Sequence, residues 1–376
     1  MPSTGATTRR RQPTAAKTYK VADSSPLIKS WQPDRELRLG TDFSGLETAS
    51  IACERVKIRT KLLFACEKEP KLRELIRRNF HAGVIYRDVL TRDISLMPTV
   101  DLFISCAPCP PWSQQGKHNG INDSRGTLLY ASIDYIVTKK PKVVIMENVR
   151  NLSTEFIAEL EKIIKKLKNA GYTVEWRVLD CKLNGIAQSR PRCYLVAVLD
   201  KWQQFFFWPE PIELPNSDEQ VLKCLKRANA SNLTVAPHTG GVCQKNITKA
   251  IADMTAQGID PVSRNIFIDV EAGSTFGNWS TICPCITASR GRAGGFYITK
   301  QKRRQDTDEM MMFQGIPPGR LDWKSAGLSR GTIGHAIGNA CAVNVLERLI
   351  PRVLFSAGLI RTLPVDVWAA QGFHAF

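Results

Sequence analysis

Three groups of residues have types and spacings suited to chemistry. The first is Cys109, set in Cys106-Ala-Pro-Cys109-Pro-Pro-Trp112. Proline fixes φ and removes an amide donor, so this run ends the apolar strand Asp101 to Ser105 and holds a sulfur in one defined direction. In open parallel sheets, ligands and chemistry sit at that end of a strand. Taken alone, the same cysteine reads equally as a small buried apolar residue or as half of a Cys106-x-x-Cys109 redox or zinc pair. The second is Glu147, which closes the β-branched run Lys142 to Met146 in the neighbouring unit; an acid there also serves as a helix cap or an ion-pair partner. The third is Arg190-Pro-Arg192, whose two guanidinium groups suit a phosphodiester or a base carbonyl and equally an ordinary charged surface.

These residues need a scaffold, and the chain spells one out. Leu37 to Leu39 leads into Gly40-Thr-Asp-Phe-Ser-Gly45-Leu and then a helix, the strand, glycine turn and helix in which backbone amides meet a nucleoside cofactor. A second strand, Leu62 to Ala65, ends at Glu67, a carboxylate placed for the hydroxyls of a ribose. Helix Pro70 to Phe80 follows, then strand Val84 to Tyr86 with Arg87-Asp88-Val89 behind it, where Asp88 suits an adenine amino group and equally reads as an exposed loop acid. A further helix runs to about Lys139. Thr154 to Ala170 has Phe156, Ile157, Leu160, Ile163, Ile164 and Leu167 on one face, a Ser153/Thr154 cap and Gly171 as its stop. Thr173 to Asp180 and Cys193 to Leu199 read as paired strands. Strands alternating with helices define an α/β protein with a doubly wound, mostly parallel sheet.

Composition bounds what this scaffold serves. The chain has 376 residues and 43% hydrophobic content, enough for a large core and for two domains or one with an insertion. Lys and Arg number 52 against 35 Asp and Glu, a formal charge of +17, which suits a polyanion such as nucleic acid or an acidic membrane surface. No apolar run approaches the ~18 residues of a membrane span, and no signal peptide opens the chain. With an odd count of 11 cysteines, reduced thiols in an intracellular protein are expected rather than a disulfide framework. No metal centre is expected, because the close pairs Cys106/Cys109 and Cys283/Cys285 lack partners at zinc-finger spacing. Residues 1–29 read as a disordered basic arm containing Arg9, Arg10, Arg11, Lys17 and Lys20, suited to binding phosphates or, in a eukaryote, to nuclear import, and equally to being a solvated terminus with no address function.

In their order along the chain, these residues resemble the cytosine carbon-5 DNA methyltransferases. Asp42-Phe-Ser-Gly45 is similar to the family's cofactor loop, Pro108-Cys109 to its nucleophile motif, Asp123-Ser-Arg-Gly-Thr-Leu128 to the segment beyond it, and Glu147-Asn148-Val149 and Gln188-Ser-Arg190-Pro-Arg192 to two later motifs. Asp308-Glu-Met-Met-Met-Phe-Gln314-Gly-Ile-Pro317 and Gly338-Asn339-Ala-Cys-Ala-Val-Asn344 resemble the last two. The resemblance covers about residues 38 to 356. It implies S-adenosylmethionine as cofactor, held by Phe43, Ser44, Gly45, Leu46, Glu67, Asp88, Val89, Pro108, Leu128, Asn339 and Ala340. It implies catalysis by Cys109, Glu147, Arg190 and Arg192, with Cys109 adding to carbon 6 of a cytosine flipped out of duplex DNA. Ser113, Gln114, Trp279 and Thr287 would meet the DNA, and the protein would act as a monomer on it.

The domain organisation implied is a catalytic and cofactor domain over 30–200, a target-recognition domain over 201–330, a C-terminal helix over 331–356 that completes the first domain, and a tail over 357–376. There are four departures from the family pattern: Glu47 in place of a second glycine, Lys68 in place of an adenine-packing apolar residue, Pro110 and Trp112 after the nucleophile, and Ala340-Cys341 after Asn339. Two alternatives share the fold. One is a transfer-RNA methyltransferase; the other is a silent DNA-binding member of the family, whose sign would be loss of the nucleophile or the glutamate.

Overall fold

Short apolar runs that end in polar residues build the sheet, and the helices between them carry one apolar face each. In the computed structural model, which describes residues 36–108, 126–212, 217–225, 241–273 and 278–371, they follow one another as β1 (Leu37–Asp42), α1 (Thr48–Arg55), β2 (Thr60–Cys66), α2 (Pro70–Asn79), β3 (Val84–Tyr86), β4 (Leu102–Ser105), α3 (Gly126–Lys139), β5 (Val143–Val149), α4 (Ile157–Asn169), β6 (Tyr172–Asp180) and β7 (Pro191–Leu199). The seven strands lie in the order β3-β2-β1-β4-β5-β7-β6. All neighbours are parallel except β7, which runs antiparallel to both β5 and β6. The strand order reverses between β1 and β4, so the crevice that binds ligands in such sheets opens beyond their C-terminal ends.

Both faces of the sheet are covered. On one, Phe64, Phe103 and Tyr135 pack with Leu160, Ile163 and Leu167 of α4, and the Phe64 and Tyr135 rings meet edge to face at 5.2 Å. The amphipathic face of α4 is where its sequence places it, but its start is not. Ser153 does not cap the helix; its hydroxyl donates to the Arg150 carbonyl at 2.7 Å and closes a 3₁₀ turn. The α-helix proper begins at Ile157, without a side-chain cap. A small hydroxyl residue that can bond its own preceding backbone competes with the cap geometry.

The later part of the chain contributes α5 (Ser217–Cys224), α6 (Gly241–Ala256), β8 (Phe267–Ile268), β9 (Trp279–Ser280), α7 (Ala288–Arg292), β10 (Tyr297–Ile298), β11 (Arg303–Arg304), α8 (Thr307–Phe313), α9 (Arg330–Asn339), α10 (Val343–Ser356) and α11 (Val367–Gln371). Its sheet, β11-β10-β8-β9, is made of two-residue strands. Ile247, Ala250 and Met254 of α6 form a small core under it with Ile266 and Ile268. Phe267, Phe296 and Phe313 instead join the large core on the second face of the main sheet, with Leu346, Leu349 and Val353 of α10.

The helix expected over 331–356 is two helices. The chain is extended at Ala340 (φ −66°, ψ 142°), the carbonyls of Gly338 and Ala340 turn to the Arg190 guanidinium at 3.1 and 2.7 Å, and the Val343 amide donates to the Gln314 carbonyl at 2.9 Å. Backbone groups that find partners outside the helix have no need of the next helical turn. Helix α9 is locked against α7 by glycines: a Cβ built on Gly291 would stand 2.0 Å from the Gly334 carbonyl oxygen, and one on Gly338 would stand 2.3 Å from Thr287. The expected tail is likewise a packed element. Trp368 is fully buried and donates its indole N–H to Glu347, while Asp366 accepts from Arg348 at 2.8 Å and Arg352 at 3.0 Å. Among the described residues no helix is long and apolar enough to cross a membrane.

Candidate active site

A cavity of about 410 Å³ opens beyond the C-terminal ends of β1, β2, β4 and β5. On one wall the chain leaves β1 through three left-handed residues, Phe43 (φ 54°), Gly45 (φ 51°) and Glu47 (φ 53°), before α1 begins. Such a turn is costly for residues that carry a Cβ, so it must be held by other contacts. The Ser44 hydroxyl accepts from the Cys66 amide at 3.0 Å, and the Gly45 amide donates to Glu67 Oε2 at 2.9 Å. Asp42 is buried in a bidentate pair with Arg92 and also accepts from the Ser132 hydroxyl at 2.7 Å. Sequence reading missed this anchor, because Arg92 and Ser132 carry no motif.

Glu47 shows why a glycine suits this place: the backbone is left-handed there. Its side chain folds inward, with Oε2 accepting from Thr41 at 2.8 Å and Oε1 from Ser50 at 2.9 Å. Burial raises its carboxyl to about 7, with those hydroxyls opposing the shift. Glu67 is also raised by burial, against the amides of Glu69 and Gly45. Asp88 lies below the usual carboxylate range, held first by the Leu90 amide and then by Lys68, whose Nζ is 3.3 Å from Oδ2. The departure at Lys68 thus places a cation on the very acid expected at an adenine.

A second wall is assembled from distant parts of the chain. Glu147, at the end of β5, is 6% exposed. Its Oε1 lies 3.2 Å from Arg192 Nε, an ion pair whose angle makes no hydrogen bond. Burial raises the Glu147 carboxyl, and Arg192 and Arg190 pull the other way. Arg192 Nη2 also reaches Cys285 Sγ at 3.5 Å. The Arg190 guanidinium reaches the same sulfur at 3.6 Å and also donates to the carbonyls of Ile286, Gly338 and Ala340 at 2.7–3.1 Å. Arg190 thereby ties the β7 side, the segment before α7 and the α9–α10 break into one wall. Burial alone would raise the Cys285 thiol, but the two guanidinium groups outweigh it and the thiol is lowered.

All the residues expected at the cofactor, from Phe43 to Ala340, line this one cavity, as do Glu147, Arg190 and Arg192. Cys109, Ser113 and Gln114 lie outside the described residues, as do Pro110, Trp112 and the basic arm; Pro108, the last described residue before them, lines the wall. Trp279 sits in β9, paired with Ile268, and Thr287 caps α7 through the Arg290 amide at 3.3 Å; neither lines the cavity. Arg292, Thr332 and His335 do line it and were not foreseen, since they come from two helices with no motif of their own.

The same assignment comes from comparison with known proteins. The profile of the C-5 cytosine-specific DNA methylase family matches residues 42–354. The chain belongs to that family. It is 27% identical over 331 residues to the type II methyltransferase M.NgoBI of Neisseria gonorrhoeae, covering 84% of this chain and 93% of that one. Its match to M.NgoBV of the same organism is 33% over 168 residues, 43% of this chain and 40% of the relative. The fold is similar to that of the Entamoeba histolytica methyltransferase EhMeth, with a TM-score of 0.62, 17% identity, and coverage of 85% of this chain and 98% of the other. The protein is therefore a C-5 cytosine methyltransferase, and its methyl donor is S-adenosylmethionine, as in its family. The cavity fits that donor: Gly45 leaves open space, since a Cβ there would meet only the Phe43 carbonyl at 3.7 Å, and the Glu67 carboxylate at the end of β2 keeps acceptor capacity for ribose hydroxyls.

Proposed function

We propose that the protein methylates carbon 5 of a cytosine flipped out of duplex DNA, through a covalent adduct of Cys109. The observation that carries this reading is the pairing of Glu147 with Arg192 in the same cavity as the left-handed turn. Carbon 5 of cytosine is a weak nucleophile, and thiolate addition at carbon 6 makes it enamine-like. Cys109 is the nucleophile of the family's motif. Glu147, raised toward its protonated form by burial, holds the exocyclic amine and ring nitrogen 3 and offsets the charge that builds as sulfur adds. Arg192 contacts the base carbonyl, and Arg190 positions it. S-adenosylmethionine, when bound, supplies the methyl group. Loss of the carbon-5 proton then expels the thiolate and frees the enzyme.

Glu67 and Asp88 bind the nucleoside part of the cofactor, with Phe43 and Val89 beside them, and Asn339 and Ala340 close the same wall. The stretch 201–330 serves as the recognition region, with Trp279 and Thr287 on its DNA-facing side, and Ser113 and Gln114 also contact the DNA. A single copy engages the DNA, and the basic arm adds phosphate contacts or, in a eukaryotic cell, directs nuclear entry.

The test is covalent trapping on duplex DNA containing 5-fluorocytosine, with S-adenosylmethionine, run beside transfer RNA of the same modification. Fluorine cannot leave as a proton does, so wild type gives a shifted band on a denaturing gel with DNA, and Cys109→Ser gives none. A band with transfer RNA alone would reassign the substrate, and no band with either, cofactor binding being intact, would defeat the covalent route.

A further inference from the structure

Cys106 follows β4, and Cys341 lies in the break between α9 and α10, yet they meet at Glu147. The two Sγ atoms and a Glu147 carboxylate oxygen all lie within 4.8 Å of one another. All three residues line the cavity, so an ion can reach them. Glu147 is more than nine-tenths buried, and its Oε1 accepts no hydrogen bond among the described residues. Three groups that become anionic are therefore crowded together, with Arg192 as the cation paired to one of them.

We propose that Cys106, Cys341 and Glu147 form a binding site for a thiophilic divalent cation of the zinc class. Two sulfurs and one carboxylate favour zinc or cadmium over magnesium or calcium, which prefer oxygen alone. Zinc–sulfur bonds of ~2.3 Å in a tetrahedron place ligand atoms ~3.8 Å apart, so the side chains need close by only about 1 Å. The fourth position faces the cavity and takes a water. Tyr194 Oη, 3.6 Å from Cys341 Sγ, supports the sulfur from outside. Binding releases the two thiol protons to solvent and requires no oxidant. It also occupies Glu147, so the cation inhibits methyl transfer. That consequence rests on the role proposed for Glu147, whereas the binding does not.

The full chain, reduced and freed of metal, is titrated with cadmium chloride in the absence of DNA and cofactor, and the ultraviolet thiolate-to-cadmium charge-transfer band is followed. Wild type, Cys109→Ser and Cys243→Ser are expected to show one saturable site from which zinc displaces cadmium. Cys106→Ser and Cys341→Ser should bind at least ~100-fold more weakly, beyond what loss of an outer-shell partner causes. Glu147→Gln, which keeps both thiols and the side-chain shape, should retain the band with affinity reduced ~10-fold or more. Circular dichroism confirms that each variant is folded. Wild-type affinity in Cys106→Ser and Cys341→Ser, or a band abolished by Cys109→Ser, would overturn the site. Because the band is read without methyl transfer, failure of the catalytic reading leaves this result standing.

Discussion

The two walls of the cavity are made in opposite ways. The wall around Phe43, Gly45, Glu67 and Asp88 is local: its residues follow the ends of β1, β2 and β3, which are neighbours in the sheet. The wall around Glu147 is assembled from β5, β7, the segment before α7 and the α9–α10 break, with Arg190 as the common tie. The first wall stores its specificity in backbone conformation, the second in the meeting of charged side chains. Damage should therefore differ in kind: affinity and pH response on the first wall, chemistry and cohesion on the second.

The largest separation of the two should come from Glu147→Gln. Methyl transfer should fall roughly 10³-fold, in the range of lost general acid–base assistance, while cofactor affinity by calorimetry stays within a factor of about two, since the change preserves shape. A matching loss of cofactor affinity would show that the walls are not independent. Arg190→Met is expected to lower the unfolding free energy in urea by about 4 kcal/mol, because several carbonyls lose a charged donor and the effects are not additive. A loss below about 1 kcal/mol would mean that the second wall has another tie.

The smallest effect is the pH response of Glu47 on the first wall. Its folded-state value, about 7, lies above the ordinary 4.5. The stability it contributes is therefore fully present below about 4.5 and is lost as pH rises through about 7. The difference corresponds to about 3 kcal/mol at most. Glu47→Gln should flatten the stability profile over that window, as followed by thermal melts at constant ionic strength. An unchanged profile would show that the carboxylate is solvated when charged.

The contrast also explains what sequence could and could not reveal. The strands β1 to β5 and the polar residues at their ends were legible because each unit is a short-range pattern of apolar run, turn and amphipathic helix. The broken C-terminal helix was not, because its periodicity continues through Ala340 while its carbonyls are drawn to an arginine on another element. Trp368 reads as a stray aromatic near the terminus, yet it fills space above Gly185, where a Cβ would stand 2.5 Å from its ring. The Cys106–Cys341–Glu147 cluster was invisible for the same reason: ligand spacing in sequence says nothing of residues that only the fold brings together.

The crossing of α7 and α9 bears on how such a protein can change over generations. Gly291 and Gly334 meet where not even a methyl group fits. Neither can be replaced unless the opposing backbone moves, so single substitutions at either site should be purged. Ser289 and Arg292, exposed on the same short helix, carry no such constraint. Inherited variation in this part of the chain is thereby channelled onto side chains displayed by a frame that keeps one seating, and new preferences have to evolve by redecoration rather than by rearrangement.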